Sequence, residues 1–429
     1  MKKLLFFIVF ISAFSFAQEI ISLKDSINLA IENNLKIKMA QSQLEQFYYQ
    51  SEISKTYFFP RVASSFNYTY LGNNKPISFG PSLPSFKITD DNLYTASLTI
   101  NQPLFTGWRI EETYQLSRTA LEKAKLDYEA EIQNLVLDVK KAYFSVLKAQ
   151  RFLETSLKYR ESLEKHLKDA RKMFEMGLVT KLDILKTEVA LKDAETKITQ
   201  NENYLKIAKS NFNFILNRSL EHEFIPEDIL EKEIEPNDYQ WWKNTAQNQR
   251  NEIKSFEKLV SIYNKNVQIE KGNLYPQVYF FFNYNFEKGT QTSIENWEDN
   301  WNTGISLSYD IWNCGETRKK IKKAEKAREE IEKQLELIRN SVEIEVRNAY
   351  LNLLSAEKKI EQGKKQNESA EENLRVAELL YNEGLATTTD VIDANTALIQ
   401  AKNSFFDYLY EYQISFAELE KASGTWRNQ

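Results

Sequence analysis

The sequence has only one cysteine, Cys314, and two histidines, His166 and His222, in 429 residues. A single cysteine excludes a disulfide framework, and the chain has neither a glycine-rich phosphate loop nor the paired spacing of a zinc site. His166 lies among charged residues, where a solvated helix face is the simpler interpretation, and Cys314 is interpreted as an inert thiol. We therefore expect a protein that is not an enzyme and that holds no cofactor and no metal.

Glycine and proline are also scarce, with 11 and 8 residues, whereas charged residues make up 27% of the chain. Few helix breakers and many charges favour long solvated helices over a compact, loop-rich enzyme. The net charge is only -5, and residues of both signs are interspersed. This balance argues against a nucleic-acid partner.

The chain has a single long hydrophobic run, and this run lies at its start. Two lysines precede the apolar residues 4–16, and Ser15 and Ala17 are the small residues that a signal peptidase requires. We expect residues 1–17 to be a signal peptide that is cleaved after Ala17. Beyond it, no run reaches the roughly 18–20 apolar residues of a transmembrane helix. The mature protein is therefore expected to be periplasmic, secreted or in the outer membrane.

One phrase occurs twice: residues 174–183 read FEMGLVTKLD and residues 381–390 read YNEGLATTTD. In both copies a glycine follows a long stretch of helical composition, and glycine tolerates the left-handed backbone that ends a helix. The threonine and the aspartate three residues later can cap the next helix. Each copy is thus predicted to be the tip of a helical hairpin. The turn residues are Gly177 and Thr180 in the first tip and Gly384 and Thr387 in the second.

The similarity between the two halves extends outward from these tips, at an offset of 207 residues between Gly177 and Gly384. Asn217 corresponds to Gly424, and both residue types favour a left-handed helix C-cap. We predict two repeats, each with a helix, two strands and a long helical hairpin. The predicted boundaries are 18–217 for the first repeat, 218–240 for an acidic linker, 241–424 for the second repeat and 425–429 for a C-terminal tail.

Long proline-free segments are predicted as helices, and the longest would reach ~100 Å. The return helices are about half as long, so we expect the segments before the strands to supply the other half. Apolar residues recur in steps of three, four or seven, which is typical of a coiled-coil seam. The long helices are predicted at Arg109–Met176 and Glu316–Glu383, the return helices at Asp183–Leu216 and Asp390–Ser423, and the leading helices at 33–59 and 244–274. The seam comprises Ile331, Leu335, Ile338, Val342, Ala349, Leu353, Ala356 and Ile360.

Each half also has two segments in which apolar residues alternate with small polar ones, which predicts strands with one apolar and one polar face. An ordinary antiparallel sheet on a soluble core is one interpretation. Lengths near the roughly 9–11 residues of a membrane strand and aromatic residues at both ends of the apolar bands favour strands that cross a membrane. The segments are Val62–Tyr70, Tyr94–Asn101, Val278–Phe286 and Trp301–Ile311.

Four strands cannot close a barrel, and an open sheet edge is not viable in lipid. The chain is therefore expected to share a barrel with copies of itself. A dimer would supply eight strands and a trimer twelve, and only the larger barrel would leave a lumen.

With these features in place, the chain resembles the outer-membrane efflux protein family, the TolC-like exit ducts, over nearly all of its mature length. The resemblance implies a mixed fold, in which a homotrimer forms a twelve-stranded membrane β-barrel that continues into a long α-helical coiled-coil barrel in the periplasm. It also implies outer-membrane lipid around the barrel, a periplasmic adaptor protein and an inner-membrane pump. The residues that carry it are Tyr381-x-x-Gly384-x-x-Thr387-x-x-Asp390-Val391-Ile392-Asp393-Ala394, Gly177-Leu178-Val179-x-x-x-Asp183 and Asn101-Gln102-Pro103-Leu104-Phe105.

The resemblance further implies that the two acidic residues after the second tip, Asp390 and Asp393, line the narrowest part of the pore. Helix capping is an alternative role for Asp390 and does not exclude pore lining. Asp393 lies one turn beyond the cap, and its counterpart in the first repeat is Lys186, so capping does not explain it.

Polar links between neighbouring tips hold the closed state in this family, and the matching positions here are Tyr381 and Asp183. Ala386 occupies the position of a family arginine, so we expect a shut state that is held differently or less tightly than in the family.

The expected function is an exit duct of a tripartite efflux or type I secretion system, gated at its periplasmic helix tips. The alternative is a structural or adhesive coiled-coil protein of the envelope that has no conduit. The cargo stays open between drugs, metal ions and polypeptides.

Overall fold

The fold is described here from a computed structural model, which describes residues 19–78, 80, 84–228, 237–291 and 294–425. The predicted signal peptide, residues 229–236 of the predicted linker and residues 426–429 of the predicted tail lie outside the described residues. Two compact units are present. Unit 1 comprises Met1–Ala40, Glu129–Arg250 and Asn340–Gln429, and unit 2 comprises Gln41–Tyr128 and Asn251–Arg339, as far as those residues are described.

The helices and strands occur in two series of closely matching lengths. The first series is β1 (Glu19–Ile21), α1 (Leu23–Asn33), α2 (Leu35–Thr56), β2 (Arg61–Tyr70), β3 (Asn92–Phe105), α3 (Arg109–Glu175) and α4 (Lys181–Ile215). The second is β4 (Phe224–Pro226), α5 (Tyr239–Gln249), α6 (Asn251–Gly272), β5 (Gln277–Lys288), β6 (Glu298–Ser308), α7 (Glu316–Asn382) and α8 (Thr388–Ser423). The long helices α3 and α7 both have 67 residues, and α4 and α8 have 35 and 36.

The predicted long and return helices agree with the structure to within two residues. The predicted leading helix 244–274 is wrong, because the chain leaves the helical conformation at Arg250 (ψ 121°) and so forms α5 and α6. The Arg250 guanidinium, buried in unit 1, donates to the carbonyl of Lys421 (2.9 Å) and to Glu345 (2.8 Å). These partners, distant in sequence, stabilise the break between α5 and α6. The residues around Arg250 contain no helix-breaking pattern that would predict it.

Asn34 makes the corresponding break between α1 and α2, with a ψ of 131°. Its amide nitrogen donates to the carbonyl of Ile215 (2.7 Å), and its side-chain oxygen accepts from the backbone N–H of Lys36 (2.8 Å). The second bond satisfies a free donor in the first turn of α2. The predicted leading helix 33–59 corresponds to α2 to within three residues, whereas α1, which precedes the break, was not predicted.

In unit 1, β1 and β4 form a small parallel sheet, so part of the predicted linker is strand. The Tyr143 hydroxyl on α3 donates to the carbonyls of Ile21 (3.1 Å) and Glu227 (2.6 Å), one just inside β1 and the other just after β4. Burial raises the pKa of Tyr143 well above its usual value, so this hydroxyl keeps its proton and remains a donor. Sequence analysis did not predict this sheet.

Residues of the predicted seam are buried or half-buried along α7. In unit 1, Leu353 and Ala356 are fully buried, and Val342 and Ala349 nearly so, while Ile331 is buried in unit 2. The steps of three, four and seven residues therefore identified the packed side of this helix correctly. Within the residues that the structure describes, no helix has an apolar stretch long enough to cross a membrane.

Unit 2 contains a four-stranded antiparallel sheet in the order β2-β3-β5-β6. The predicted strands are confirmed, except that the last begins earlier and ends at Ser308, so the predicted extension to Ile311 is wrong. One face carries a ladder of paired polar side chains. The Ser65 and Ser97 hydroxyls lie 2.7 Å apart, and two asparagine pairs, Asn283–Asn302 (2.9 Å) and Asn285–Asn300 (3.1 Å), continue the ladder.

The opposite face of the sheet is apolar and open. Phe66, Ile305 and Leu307 are 64%, 68% and 67% exposed, although burying such side chains is worth roughly 1.5–3 kcal/mol each in water. The outer edges of β2 and β6 pair with no other strand of the described residues. The exposed apolar face is suited to contact with lipid, and the outer edges are suited to pairing with strands of neighbouring chains.

Two glycines let the turn from β3 into α3 approach the end of α6. Gly107 has a φ of +65°, and a Cβ at this position would overlap the carbonyl oxygen of Gly272. A side chain here would therefore be strained in its own backbone and would also clash with a neighbour.

We predict that Gly107→Ala lowers the free energy of unfolding by roughly 2–4 kcal/mol. The matched control is Gly72→Ala, because Gly72 has an ordinary φ and no atom within 4 Å of an added Cβ. Thermal unfolding followed by far-ultraviolet circular dichroism measures both variants. Equal midpoints for the two variants would contradict the close approach.

Candidate functional site

The first hairpin tip joins α3 to α4 through residues 176–180. Gly177 adopts a φ of +74°, its N–H donates to the carbonyl of Phe174 (2.9 Å), and the N–H of Leu178 donates to Met173 (2.9 Å). This pair of bonds is a Schellman motif, which satisfies the last carbonyls of α3.

The second tip repeats this geometry between α7 and α8. Gly384 has a φ of +71°, and its N–H donates to the carbonyl of Tyr381 (3.0 Å), while that of Leu385 donates to Leu380 (2.8 Å). Two turns with the same bonds and the same left-handed glycine follow from the repeated phrase in the sequence.

Both tips continue into a capping box. The Asp183 carboxylate accepts from the backbone N–H (2.9 Å) and the hydroxyl (2.6 Å) of Thr180. Asp390 accepts in the same way from Thr387, at 2.7 Å for both bonds. The hydroxyl bonds, followed by the backbone bonds, hold the pKa of each carboxyl below its usual value. These two aspartates are therefore ionised helix caps, as the capping alternative proposed for Asp390.

Asp393 differs from both capping aspartates. It lies one turn further along α8, is exposed, and makes no hydrogen bond or ion pair with any residue in the described part of the chain. Its counterpart in the first half, Lys186, donates to the Thr389 hydroxyl (2.9 Å) and thereby links α4 to α8. The structure thus leaves the Asp393 carboxylate unused within the protomer, while Lys186 joins the two hairpins.

Tyr381 lies inside the second tip, in a cluster with Ala377, Val391 and Ala394. It is only 4% exposed, and its hydroxyl accepts a long hydrogen bond from Thr388 (3.3 Å). Ala386 packs against the same cluster. In this chain Asp183 and Tyr381 therefore belong to separate local networks, and the structure does not bring the two side chains together.

His166 is a tip residue that sequence reasoning missed. The interpretation of a solvated face is wrong, because the His166 ring packs against Tyr381 with centroids 4.8 Å apart. The side chain is half-buried, and desolvation lowers its pKa below the usual value. Leu163 and Ala170, three residues before and four residues after His166 on α3, are both buried. Their spacing places His166 on the packed side of the helix, and this was the signal available in the sequence.

The molecule thus combines two hairpin tips of the same geometry, two matched series of helices and strands, and an open antiparallel sheet. The family model described as outer membrane efflux protein matches residues 26–218 and 242–425. The chain belongs to this family. Membership confirms the resemblance seen in the sequence and places the protein in the cell outer membrane, with its helical part in the periplasm.

Two relatives show how far the similarity extends. The alkaline protease secretion protein AprF of Pseudomonas aeruginosa is 22% identical over 416 residues, which cover 94% of this chain and 84% of AprF. The outer membrane protein TolC of Vibrio cholerae is 26% identical over 366 residues, which cover 79% of this chain and 78% of TolC.

Solved structures share the fold at low identity. The CmeC outer membrane channel of Campylobacter jejuni superposes with a TM-score of 0.80 and 18% identity, over 94% of this chain and 85% of CmeC. CusC also gives a TM-score of 0.80, with 17% identity over 94% of this chain and 92% of CusC. Family members are channels and not enzymes, in keeping with the expected non-enzymatic role.

The capping role of Asp390 can be separated from any role of Asp393. Asp390→Ala removes the acceptor for the backbone N–H of Thr387, the N-cap residue of α8, so amide hydrogen exchange at Thr387 should become several-fold faster. Asp393→Ala is the matched control and should leave the exchange unchanged, since it accepts no hydrogen bond within the described residues.

The same cap should depend on pH. Because folding lowers the pKa of Asp390, the cap stabilises the tip fully above about pH 4, the unfolded pKa, and is lost as the pH falls through the folded pKa. Protection of the Thr387 N–H should drop in that acid range in the wild type and not in Asp390→Ala. A protection factor for Thr387, calculated against the intrinsic exchange rate at each pH, that stays constant in the wild type would overturn this assignment.

Proposed function

We propose that this protein is a passive exit duct that conducts substrates of an inner-membrane pump and its periplasmic adaptor across the periplasm and outer membrane, without catalysing a reaction and without a cofactor. The observation that carries the proposal is the sheet of unit 2, with one exposed apolar face, one polar face and two outer edges that pair with no other described strand. Lipid can cover the apolar face and water the polar face only if the sheet becomes part of a closed wall.

Closure of this wall requires other copies of the chain. The strands alternate in direction across the sheet, so the free edge of β6 can pair antiparallel with β2 of the next copy. Three copies give twelve strands, which is enough to leave a lumen, whereas eight strands fill their interior with side chains. We therefore propose a homotrimer with a shared twelve-stranded barrel and with the polar face towards the lumen.

The matched lengths of the helical elements support two structural repeats in each chain. In the trimer, six hairpins of closely similar length would then form the periplasmic helical tube, with α4 and α8 returning beside α3 and α7. The helices are rich in paired charges, such as Lys359 with Glu411 (2.7 Å), as suits helices in contact with water.

We place the gate at the second tip. Three copies of Asp390 and Asp393 would put six carboxylates around the periplasmic end of the pore, an arrangement that favours cations. Asp183 and Tyr381 are proposed to contribute to contacts between neighbouring tips when the pore is shut. Since Ala386 offers no charge, the bond from Lys186 to Thr389 supplies a polar link between the hairpins of this chain.

The partners follow from this role. AprF is named as a secretion protein and CmeC as an outer membrane channel, which supports either a type I secretion system or a tripartite efflux pump. An adaptor protein would dock on the helical hairpins and connect them to the inner-membrane pump. An envelope coiled coil without a conduit would have no use for the exposed apolar sheet.

Conductance in liposomes tests the proposed duct. The wild type should insert and carry a steady current that prefers cations, whereas an envelope coiled coil would give no current. Asp393→Ala should shift the cation-to-anion permeability ratio towards one, because it removes three carboxylates from the gate without removing a cap.

The control for this measurement is Asp193→Ala, which removes an exposed aspartate from α4. This variant should keep the wild-type ratio. An unchanged ratio in Asp393→Ala would disprove the gate assignment, and absence of wild-type current would disprove the duct itself.

A further inference from the structure

A large cavity lies in unit 2, where the strands meet the helices. It measures about 820 Å³ and is bordered by the end of α2, the adjoining ends of β2, β3 and β5, and the start of α3. Arg61 and Arg109 supply its charged groups, and Tyr57, Phe59 and Tyr279 supply flat apolar walls. None of the described residues that line this cavity is acidic.

Arg61 is exposed and Arg109 is half-buried, and neither has a partner for its charge among the described residues. Arg61 and Arg109 form no ion pair, side-chain hydrogen bond or cation–π contact with any residue that the structure describes, and the Nε atom of Arg109 is buried without a hydrogen-bond acceptor. Glu112, a carboxylate one helical turn along α3 from Arg109, instead pairs with Lys265 (3.0 Å). A buried guanidinium donor without an acceptor is costly, and an anion would remove that cost.

Arg109 is also held in place. Its stem crosses Gly272 so closely that a Cβ on this glycine would overlap the Arg109 Cγ. Arg109 is the first residue of α3, where the free N–H groups and the helix dipole add positive potential. The charge is therefore presented in one position at the edge of the cavity, and its orientation does not have to be fixed upon binding.

The strand register places the cavity on the polar side of the sheet. Arg61 pairs with Asn101 and Pro103 with Tyr279, and these positions share the parity of the hydrogen-bonded Ser65 and Ser97. Under the proposed duct, this is the face that lines the lumen, so a solute in transit would reach the cavity.

We propose that this cavity binds a small organic anion with a flat apolar body, such as an aromatic carboxylate or sulfonate. The two guanidiniums bind the anionic group, for which their planar donor pairs are suited, and the aromatic walls contact the apolar part. The position of the site along the conduit rests on the proposed function, whereas binding itself does not.

The probe is naphthalene-2-sulfonate, titrated by isothermal calorimetry against the full mature chain reconstituted in lipid nanodiscs. Saturable binding is expected, and the Arg61→Gln/Arg109→Gln variant should weaken it roughly tenfold or more, because charged hydrogen bonds are lost. The cationic analogue, trimethyl(2-naphthyl)ammonium, should not compete for the site.

Two further variants keep the result interpretable. Arg61→Lys/Arg109→Lys keeps both charges and should retain part of the affinity, which separates charge from misfolding. Arg118→Gln changes an exposed arginine further along α3 that lies over the Tyr114 ring, and it should bind like the wild type.

The proposal is overturned if the wild type shows no saturable binding, as when a neighbouring protomer covers the cavity. It is equally overturned if the cationic analogue binds as well, or if the double glutamine variant keeps wild-type affinity. Conductance of the same preparation in liposomes distinguishes the two proposals: current without binding disproves only the anion site, whereas binding without current disproves the duct.

Discussion

The structure depends on one constraint, that a backbone N–H or C=O facing lipid must have a partner. The sheet in unit 2 satisfies this along β3 and β5, but the outer edges of β2 and β6 pair with no other strand in the described part of the chain. Its apolar face is open at the same time. These two facts make the sheet of a single chain an incomplete wall, and the proposed oligomer and its lumen are the means of completing it.

The two hairpin tips share the same turn and the same helix cap but differ in the side chains that follow. A left-handed glycine and a threonine–aspartate cap end one helix and start the next, and they do so identically in both halves. Functional differences must then come from side chains that the turn does not use. Asp393 and Lys186 occupy equivalent places, yet Asp393 is exposed and has no partner among the residues that the structure describes, whereas Lys186 donates to Thr389 of the neighbouring hairpin.

Local signals predicted the strands, the long helices and the two tips, because alternation, helical spacing and capping residues act within a few positions. They could not predict the breaks at Asn34 and Arg250, whose side chains bind partners 181 residues away for Asn34 and 171 and 95 residues away for Arg250. The chemistry of His166 was misjudged because its charged neighbours in sequence hid its packing against Tyr381. The small sheet of β1 and β4 was not predicted, because a strand of three residues is too short to show an alternation of apolar and polar residues.

The equal length of α3 and α7, at 67 residues each, restricts how such a chain can change in evolution. One added residue would lengthen a helix by about 1.5 Å and rotate everything beyond it by roughly 100°. The core side of one hairpin would turn to solvent while the other stayed in register. Insertions in these helices should therefore be tolerated only when both hairpins gain the same number of residues or when whole heptads are added. Length variation among relatives should concentrate in the loops between β2 and β3 and between β5 and β6.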